Sequence, residues 1–376
     1  MMKRLLALLL ALAMLMSLAA CGSAEPAEEA VTEEPAATET IDSATEQPAE
    51  DAQGDFVFTD DCGREVTIPG EITAIVPSGP LAQIILYAIA PDMIVGLASK
   101  YGSTADGIIP EEHQNLPYFG QMYNTANLNM EELAAVGPQL IIDIGQPMDS
   151  GSEDLDNLQA ATQIPCVYVS ASLETMPETF RTLGAILGRE EKAEELAQFC
   201  ERVYSRTISI MDEVGDDKVS ALYVLGEAGL SVLARDSYHS ELIDLLTDNV
   251  AVVDTPSSKG SGNEVTMEQI ALWDPEFVLF ASDSIYDTAA ETPTWDQMQA
   301  ITSGNYIEVP EGPHNWMGTP PAVQRYLGMI WLTAQLYPEY CDYDVKAEIM
   351  EYYELFYDCQ LTEEQYNTLT ANAFLE

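Results

Sequence analysis

A nine-residue pattern occurs twice in this chain, and it constrains the fold more than any other feature. The copies are MEELAAVGP at Met130–Pro138 and MEQIALWDP at Met267–Pro275, and in each the proline follows the glutamate by seven positions (131 to 138 and 268 to 275). Each copy is followed by a short apolar run typical of a buried strand, at Leu140–Ile144 and at Phe277–Phe280. A fixed element repeated in this way predicts two related lobes.

The segment Glu190–Val214 lies between the two copies and predicts one long helix. It contains no proline and no glycine, and about 25 residues at 1.5 Å each give a rod on the order of 35 Å. Apolar or small residues recur at helical spacing, at Ala193, Leu196, Ala197, Cys200, Val203, Tyr204, Ile208 and Met211. An ordinary amphipathic surface helix is the alternative. The repeat on either side favours a bridge between two lobes, and we expect a single stiff connector to allow only a small closure.

The remaining patterns predict an α/β fold of two lobes, each with a mostly parallel sheet flanked by helices. A hairpin at Phe56–Pro69 is followed by strand Ile72–Val76, helix Leu81–Ala90 and strand Ile94–Ala98, and this order indicates a parallel sheet. Further strands are expected at Val167–Ser170, Val219–Leu225 and Ile307–Val309, and further helices at Phe180–Leu187, Glu241–Leu246, Ala322–Leu336 and within Asp344–Ala373.

The amino terminus predicts export and lipid anchoring. Lys3 and Arg4 precede an apolar run, Leu5–Leu18, which is short for a membrane span and typical of a signal peptide. It ends in Leu-Ala-Ala-Cys, which resembles the lipobox of bacterial lipoproteins, and the resemblance implies that Cys21 is diacylated. An uncleaved anchor with an incidental cysteine is the alternative. We therefore expect the protein on the extracytoplasmic face of the cell membrane.

Charge and composition exclude one class of partner and define a tether. The chain has 14 Lys and Arg against 63 Asp and Glu, a formal charge of −49, which repels phosphate backbones and makes nucleic acid an unsuitable partner. The predicted organisation is as follows: signal peptide 1–20, lipidated cysteine and disordered acidic tether 21–55, amino-terminal lobe 56–175, connecting helices 176–216, carboxyl-terminal lobe 217–340 and carboxyl-terminal helices 341–376.

Four segments carry a resemblance to a known family. Two of them are the Met-Glu elements. The other two are TDDCGREVTIPGEITAIVPSG at 59–79 and HNWMGTPPAVQRYLGMIWLTAQLYPEY at 314–340. Together they resemble extracytoplasmic solute-binding proteins of ABC importers for ferric siderophores, heme and corrinoids. The resemblance implies a monomer with two α/β lobes bridged by one long helix. It also implies a shallow cleft that delivers a metal chelate to an ABC permease and its ATPase.

In such proteins one glutamate on each lobe pairs with arginines of the permease, and the matching positions here are Glu131 and Glu268. An alternative is that both are first-turn acids stabilised by the helix dipole.

Cleft candidates are taken from the loops expected after the strands. Aromatic and methionine side chains in these loops suit a flat macrocycle or a catecholate, and Lys259 and Arg325 suit the carboxylates or phenolates of an anionic chelate. Packing is the alternative for each residue, and a structural salt bridge is the alternative for Arg325. The candidates are Ser78, Tyr101, Met122, Tyr123 and Gln146 from the first lobe, and Glu227, Tyr238, His239, Lys259, Asn315, Trp316 and Arg325 from the second.

Other functions remain open at this point. A free-metal receptor would require His113, His239 and His314 to converge on one ion, and His239 or His314 alone would serve as an axial ligand to heme or cobalt. The cysteines and histidines form no structural metal motif. The sequence contains no P-loop, nucleophile elbow, HExxH or dinucleotide fingerprint, so we expect no enzyme and no cofactor. An adhesin or structural surface lipoprotein is a further alternative, and no pattern identifies which chelate is bound.

Overall fold

A computed structural model describes residues 54–122, 128–146 and 151–375 of the chain. The predicted signal peptide, Cys21, almost all of the tether and the candidate Tyr123 lie outside these residues. Within them, no helix combines the length and apolar character needed to cross a membrane. The described residues form one compact unit.

The described elements follow the predicted α/β order. The strands are β1 (Phe56–Thr59), β2 (Glu65–Ile68), β3 (Ile75–Pro77), β4 (Leu140–Gly145), β5 (Cys166–Ser170), β6 (Ser220–Leu225), β7 (Ser231–Val232), β8 (Asp248–Asn249), β9 (Asn263–Glu264), β10 (Phe277–Phe280) and β11 (Tyr306–Glu308). The helices are α1 (Pro80–Ile89), α2 (Glu111–Gln114), α3 (Met130–Val136), α4 (Gly151–Thr162), α5 (Met176–Leu187), α6 (Glu190–Val214), α7 (Glu241–Leu246), α8 (Met267–Trp273), α9 (Gln299–Ser303), α10 (Arg325–Leu336), α11 (Val345–Tyr357) and α12 (Glu363–Leu369).

The first lobe is built on a parallel sheet of order β3-β4-β5. Strand β4 reads LIIDIG and is buried at its first five positions, as expected for a parallel strand covered on both faces. Strands β1 and β2 form the predicted antiparallel hairpin, with Phe56 opposite Ile68. Arg64 fixes the hairpin against β5 by donating from Nη1 to the Cys166 carbonyl over 3.0 Å.

The strand predicted at Ile94–Ala98 is wrong. Ile94 forms an isolated bridge with Ile75, whereas Leu97 pairs with Tyr118 instead. Because the backbone changes partner within three residues, no continuous ladder forms. Gly96 allows this change, since a Cβ there would lie 2.8 Å from the Phe119 ring.

The second lobe contains a larger sheet of order β11-β10-β6-β7-β9, with β8 also paired to β6. Strands β10, β11 and β8 run parallel to their neighbours in this sheet, and the short β7 and β9 run antiparallel. The predicted fold class, two lobes with mostly parallel sheets, is therefore confirmed, while the residue numbers given to the lobe boundaries stay predictions.

Helix α6 has the predicted bounds, Glu190–Val214, and is preceded and followed by glycines with positive φ, Gly188 and Gly215. Its approach to α5 is close, because a Cβ on Gly184 would lie 2.4 Å from the Cβ of Ala193. Helix α6 also packs against α1, α10 and α11. One face is buried, and it comprises Ala193, Leu196, Ala197, Phe199, Cys200, Val203, Thr207, Ile210, Met211 and Val214.

Residues 359–373, the C-terminal strap, contact both lobes. Gln365 donates from Nε2 to the carbonyl of Gly107, a first-lobe residue, over 3.2 Å. Asn372 pairs with Glu308 of β11 in the second lobe: its side-chain amide donates to Oε2 over 2.7 Å, and its carbonyl accepts from the Glu308 N–H over 3.0 Å. The strap is thus a second connection between the lobes besides α6.

Candidate functional site

A cavity of about 730 Å³ lies at the carboxyl ends of β6, β10 and β11, the edge where open α/β sheets bind ligands. Its walls come from these strand ends, from the loop around β9 and from the segment before α10. Backbone and hydroxyl groups form much of the lining. The lining residues are Tyr223, Leu225, Gly226, Ser231, Ser257, Lys259, Gly260, Ser261, Gly262, Asn263, Glu264, Ala281, Ser282, Asp283, Glu311, Asn315 and Thr319.

The charges of this cavity are one cation and three carboxylates. Lys259 is the single basic residue among the described lining residues, and Glu264, Asp283 and Glu311 are acidic. Two carboxylates are held in place: Glu311 accepts from the Ser282 hydroxyl, and Asp283 accepts from the Gly226 N–H over 3.3 Å. Lys259 is solvent-exposed and its ammonium group is available to a ligand.

Asn315 lies in the cavity wall and is held from two sides. Its side-chain oxygen accepts from the Tyr223 hydroxyl over 3.1 Å and from the Met317 N–H over 2.9 Å. Burial raises the pKa of Tyr223, so the phenol stays protonated and acts as the donor. The predicted candidates Lys259 and Asn315 are therefore brought together in one cavity.

A group of four polar residues, the junction cluster, comprises Tyr168 from the first lobe and Tyr238, His239 and Arg325 from the second. Each carries a buried polar atom without a hydrogen-bond partner: the two tyrosine hydroxyls, His239 Nδ1 and Arg325 Nη2. The Tyr238 and His239 rings are 5.8 Å apart. His239 lies beneath the cavity loop, since a Cβ on Gly260 would be 3.3 Å from its Cε1.

The two phenols of the junction cluster, those of Tyr168 and Tyr238, both have raised pKa values. Burial and the nearby Asp143 carboxylate raise the pKa of Tyr168. Burial also raises the pKa of Tyr238, and the Arg325 guanidinium opposes this shift. Both phenols therefore remain protonated at neutral pH and can donate hydrogen bonds.

Arg325 is fully buried and has a structural partner, as the salt-bridge alternative expected. Its Nη1 pairs with Glu241, which also accepts from the Leu173 N–H over 3.3 Å. The neighbouring Tyr326 hydroxyl donates to the Leu173 carbonyl over 2.6 Å. Because Leu173 follows β5 of the first lobe, this network joins the two lobes, and the buried Nη2 of Arg325 is left without a hydrogen-bond partner among the described residues.

Trp316 is also fully buried, so its side chain contributes to packing rather than to a cleft surface. Its indole N–H donates to the Tyr353 hydroxyl over 3.3 Å, and its ring lies 6.0 Å from that of Trp331. Met122 is buried in the first-lobe core beside Phe119.

The other first-lobe candidates occupy different places. Ser78 is buried and donates to Asp143. Tyr101 lies between two histidine rings, 6.0 Å from His113 and 6.1 Å from His314. Gln146 is exposed after β4, as is the second-lobe candidate Glu227 after β6.

Sequence reasoning missed Asp143, Tyr168, Asp283 and Glu311. A signal existed for Asp143, because it is the single charged residue within the buried run LIIDIG and a buried carboxylate requires a partner or a function.

The three histidines do not converge. His113 and His314 pack against Tyr101, and burial lowers the pKa of each to about 4, whereas His239 belongs to the junction cluster. Among the described residues, no group of three or more His, Cys, Asp or Glu has the geometry of a metal site. The free-metal alternative therefore gains no support from this part of the chain.

The pKa of His113 predicts a pH dependence of stability. Burial lowers it from 6.5 to about 4, so between these pH values the unfolded chain binds more protons than the folded one, and stability falls with falling pH. We expect His113→Phe, which keeps a ring against Tyr87 and Tyr101, to remove on the order of 3 kcal/mol of this acid sensitivity. Urea unfolding of wild type and His113→Phe from pH 7 to pH 4 measures the difference in stability. If the stability of the two proteins changed equally with pH, His113 would not be the source of the acid sensitivity.

The Met-Glu elements begin helices α3 and α8, and both glutamates lie in the first turn. Asn129 and Thr266 cap these helices by accepting from the N–H groups of Glu132 and Gln269 over 3.2 Å each. The pKa of Glu268 is lowered by its own backbone N–H and by the Thr266 hydroxyl, as the first-turn alternative expects. Glu131 and Glu268 are both exposed, which leaves them accessible to a partner as well.

The two lobes, the bridging helix and the cavity at the strand ends together define a binding protein of the two-lobe α/β class. The sequence profile of the periplasmic binding protein family matches residues 85–313, more than half of the chain. The chain therefore belongs to the periplasmic binding protein family. None of the curated proteins matches it.

Solved structures agree with this assignment. An ABC transporter solute-binding protein from Sulfurospirillum deleyianum is similar with a TM-score of 0.77 and 25% identity, covering 85% of this chain and 100% of that one. A periplasmic solute-binding protein from Veillonella parvula has a TM-score of 0.70 and 26% identity, with 84% and 97% coverage. The molybdate-bound protein MolA from Haemophilus influenzae has a TM-score of 0.67 and 18% identity, with 82% and 99% coverage, a likeness of fold.

Proposed function

We propose that this protein is the lipid-anchored receptor of an ABC importer and that it delivers a metal chelate to a permease and its ATPase. The chelate class comprises ferric siderophores, heme, corrinoids and smaller metal complexes. Family membership supports the transport role. The observation that carries the proposal is a polar cavity of about 730 Å³ beside a cluster of buried, unpartnered polar atoms at the junction of the lobes.

The size and lining of the cavity support a polar ligand of chelate size. Small-molecule sites usually have volumes of about 300–1,000 Å³, so this cavity suits a compact ligand. The hydroxyl of Ser257 and the ammonium group of Lys259 can donate to oxygen-rich groups. A similar fold holds molybdate in the Haemophilus influenzae protein, which makes a metal-containing ligand compatible with this architecture.

The junction cluster supports a ligand that touches both lobes. Buried donors without partners are costly, and the hydroxyls of Tyr168 and Tyr238 together with Nη2 of Arg325 are three such donors. Oxygen atoms of a chelate would satisfy them. Because Tyr168 comes from the first lobe and the others from the second, ligand binding would stabilise the lobes in one arrangement.

Native mass spectrometry of protein purified from its own organism tests the ligand class. We expect an added mass whose isotope pattern identifies a metal, and this added mass should disappear when the protein is denatured. A bound species without a metal, such as a sugar or a peptide, would contradict the chelate proposal.

The exposed Lys259 provides a sharper test of an anionic chelate. We expect Lys259→Ala to weaken binding of the ligand identified by mass spectrometry roughly tenfold, because a charge-assisted hydrogen bond is lost. The matched control is Lys346→Ala on α11, whose ammonium group pairs with Glu363 outside the cavity. Calorimetric titration measures both. Equal affinity of Lys259→Ala and wild type would contradict the role of Lys259 in binding an anionic chelate.

A further inference from the structure

Leu272 has the most exposed large hydrophobic side chain in the described part of the chain, with a relative exposure of 78%. It lies on α8, the helix of the second Met-Glu element. Its neighbours explain how α8 is anchored: Ile270 is buried, and Met267 and Trp273 pack against the second-lobe core. Leu272 points away from this anchor, so folding of the lobe does not require it.

Leu272 shares a helix face with Glu268. The two residues are four positions apart, which places their side chains side by side at roughly 6 Å. The Glu268 carboxylate interacts with its own helix N–H and with the Thr266 hydroxyl, and it forms no ion pair within residues 54–122, 128–146 and 151–375. The face therefore presents a free negative charge beside an aliphatic side chain.

The first copy of the element differs at the corresponding position. Alignment on the glutamates places Ala135 opposite Leu272, and Ala135 is also exposed. The first lobe thus presents a carboxylate next to a methyl group, and the second lobe a carboxylate next to an isobutyl group. A partner that contacts both elements meets two unequal surfaces.

We infer that Leu272 and Glu268 form one docking face for the ABC permease, which presents a basic side chain beside an apolar pocket. This inference rests on the proposed function and extends it, because it adds an apolar contact and makes docking unequal between the lobes. The face defines a complementary partner surface: a cation opposite the Glu268 carboxylate and an apolar pocket for Leu272 within one helix turn of that cation. Burial of the leucine strengthens the ion pair by excluding water from it.

The test is the affinity of the purified receptor for the permease and ATPase complex of its importer in lipid nanodiscs, measured by biolayer interferometry. We expect Leu272→Ala to raise the Kd about tenfold, since the buried apolar area of three carbon atoms is lost. Leu272→Met should restore most of the affinity. Val57→Ala is the matched control, because Val57 is exposed to 62% on the amino-terminal hairpin. Thermal unfolding of each variant shows that the fold is retained.

The outcomes separate the two proposals. If Glu131→Ala with Glu268→Ala weakens docking but Leu272→Ala does not, the inference about Leu272 is wrong and the transport function stands. If wild-type receptor does not bind the permease complex, the proposed function itself is overturned. If Val57→Ala weakens docking as much as Leu272→Ala, the effect is not specific to α8, and the docking face is wrong.

Discussion

The double variant Glu131→Ala, Glu268→Ala is expected to import no ligand while binding it with wild-type affinity. Both carboxylates are exposed in the first turns of α3 and α8, and neither lines the cavity. Removing them therefore leaves the binding surface intact. Charged pairs at an interface govern the encounter and often contribute several kcal/mol once water is excluded, so losing one pair on each lobe should eliminate productive docking.

Uptake of the ligand in cells that depend on this receptor, together with calorimetric affinity of the purified variants, measures the effect. The matched control is Glu132→Ala with Glu291→Ala. It removes two other carboxylates, so its net charge equals that of the first double variant. Normal uptake by the first double variant would show that the two glutamates serve their own helices only, as the helix-dipole alternative holds.

Glu241→Ala is expected to lower the free energy of unfolding by about 2–4 kcal/mol. The change leaves the fully buried guanidinium of Arg325 without its carboxylate, and removing one partner of a buried pair is strongly destabilising. It also removes the acceptor for the Leu173 N–H. The Glu241 side chain is 31% exposed, so water can partly replace the lost carboxylate. The expected loss of stability therefore lies toward the lower end of the range for breaking a buried ion pair.

Urea unfolding of wild type, Glu241→Ala and Glu241→Gln measures this contribution. The glutamine variant keeps one acceptor oxygen, which can serve either Arg325 or the Leu173 N–H but not both, and it loses the charge, so its stability should fall between those of the other two. If Glu241→Ala were as stable as wild type, the network between the lobes would contribute nothing to folding.

Local sequence determined the parts of the fold that could be predicted. The bounds of α6 were predictable because an uninterrupted apolar period lies between Gly188 and Gly215, and both ends are set by residues next to the helix in sequence. The repeated Met-Glu element was recognisable for the same reason, since each copy carries its own cap and its own following strand.

Long-range packing determined what could not be predicted. The segment Ile94–Ala98 has the composition of a strand, yet Phe119 and Tyr118 from a distant part of the chain draw it away from the sheet. Trp316 and Arg325 belong to a motif that suggested a cleft wall. Their burial depends on Tyr353 and Glu241, which are far away in sequence. The type of a side chain indicates what it can bind, whereas its burial is a property of the whole fold.

The C-terminal strap has a consequence for how the protein is made. Residues 359–373 leave the ribosome after both lobes, yet they supply the contacts that join Gly107 of the first lobe to Glu308 of the second. Until they arrive, α6 and the network around Leu173 must hold the lobes together without them. A prematurely terminated chain would contain both sheets and the cavity but lack this tie, and it would present the exposed strap-binding surface to proteases and chaperones. A chain that lacks residues 359–373 is therefore expected to be more sensitive to proteolysis than a chain that contains them.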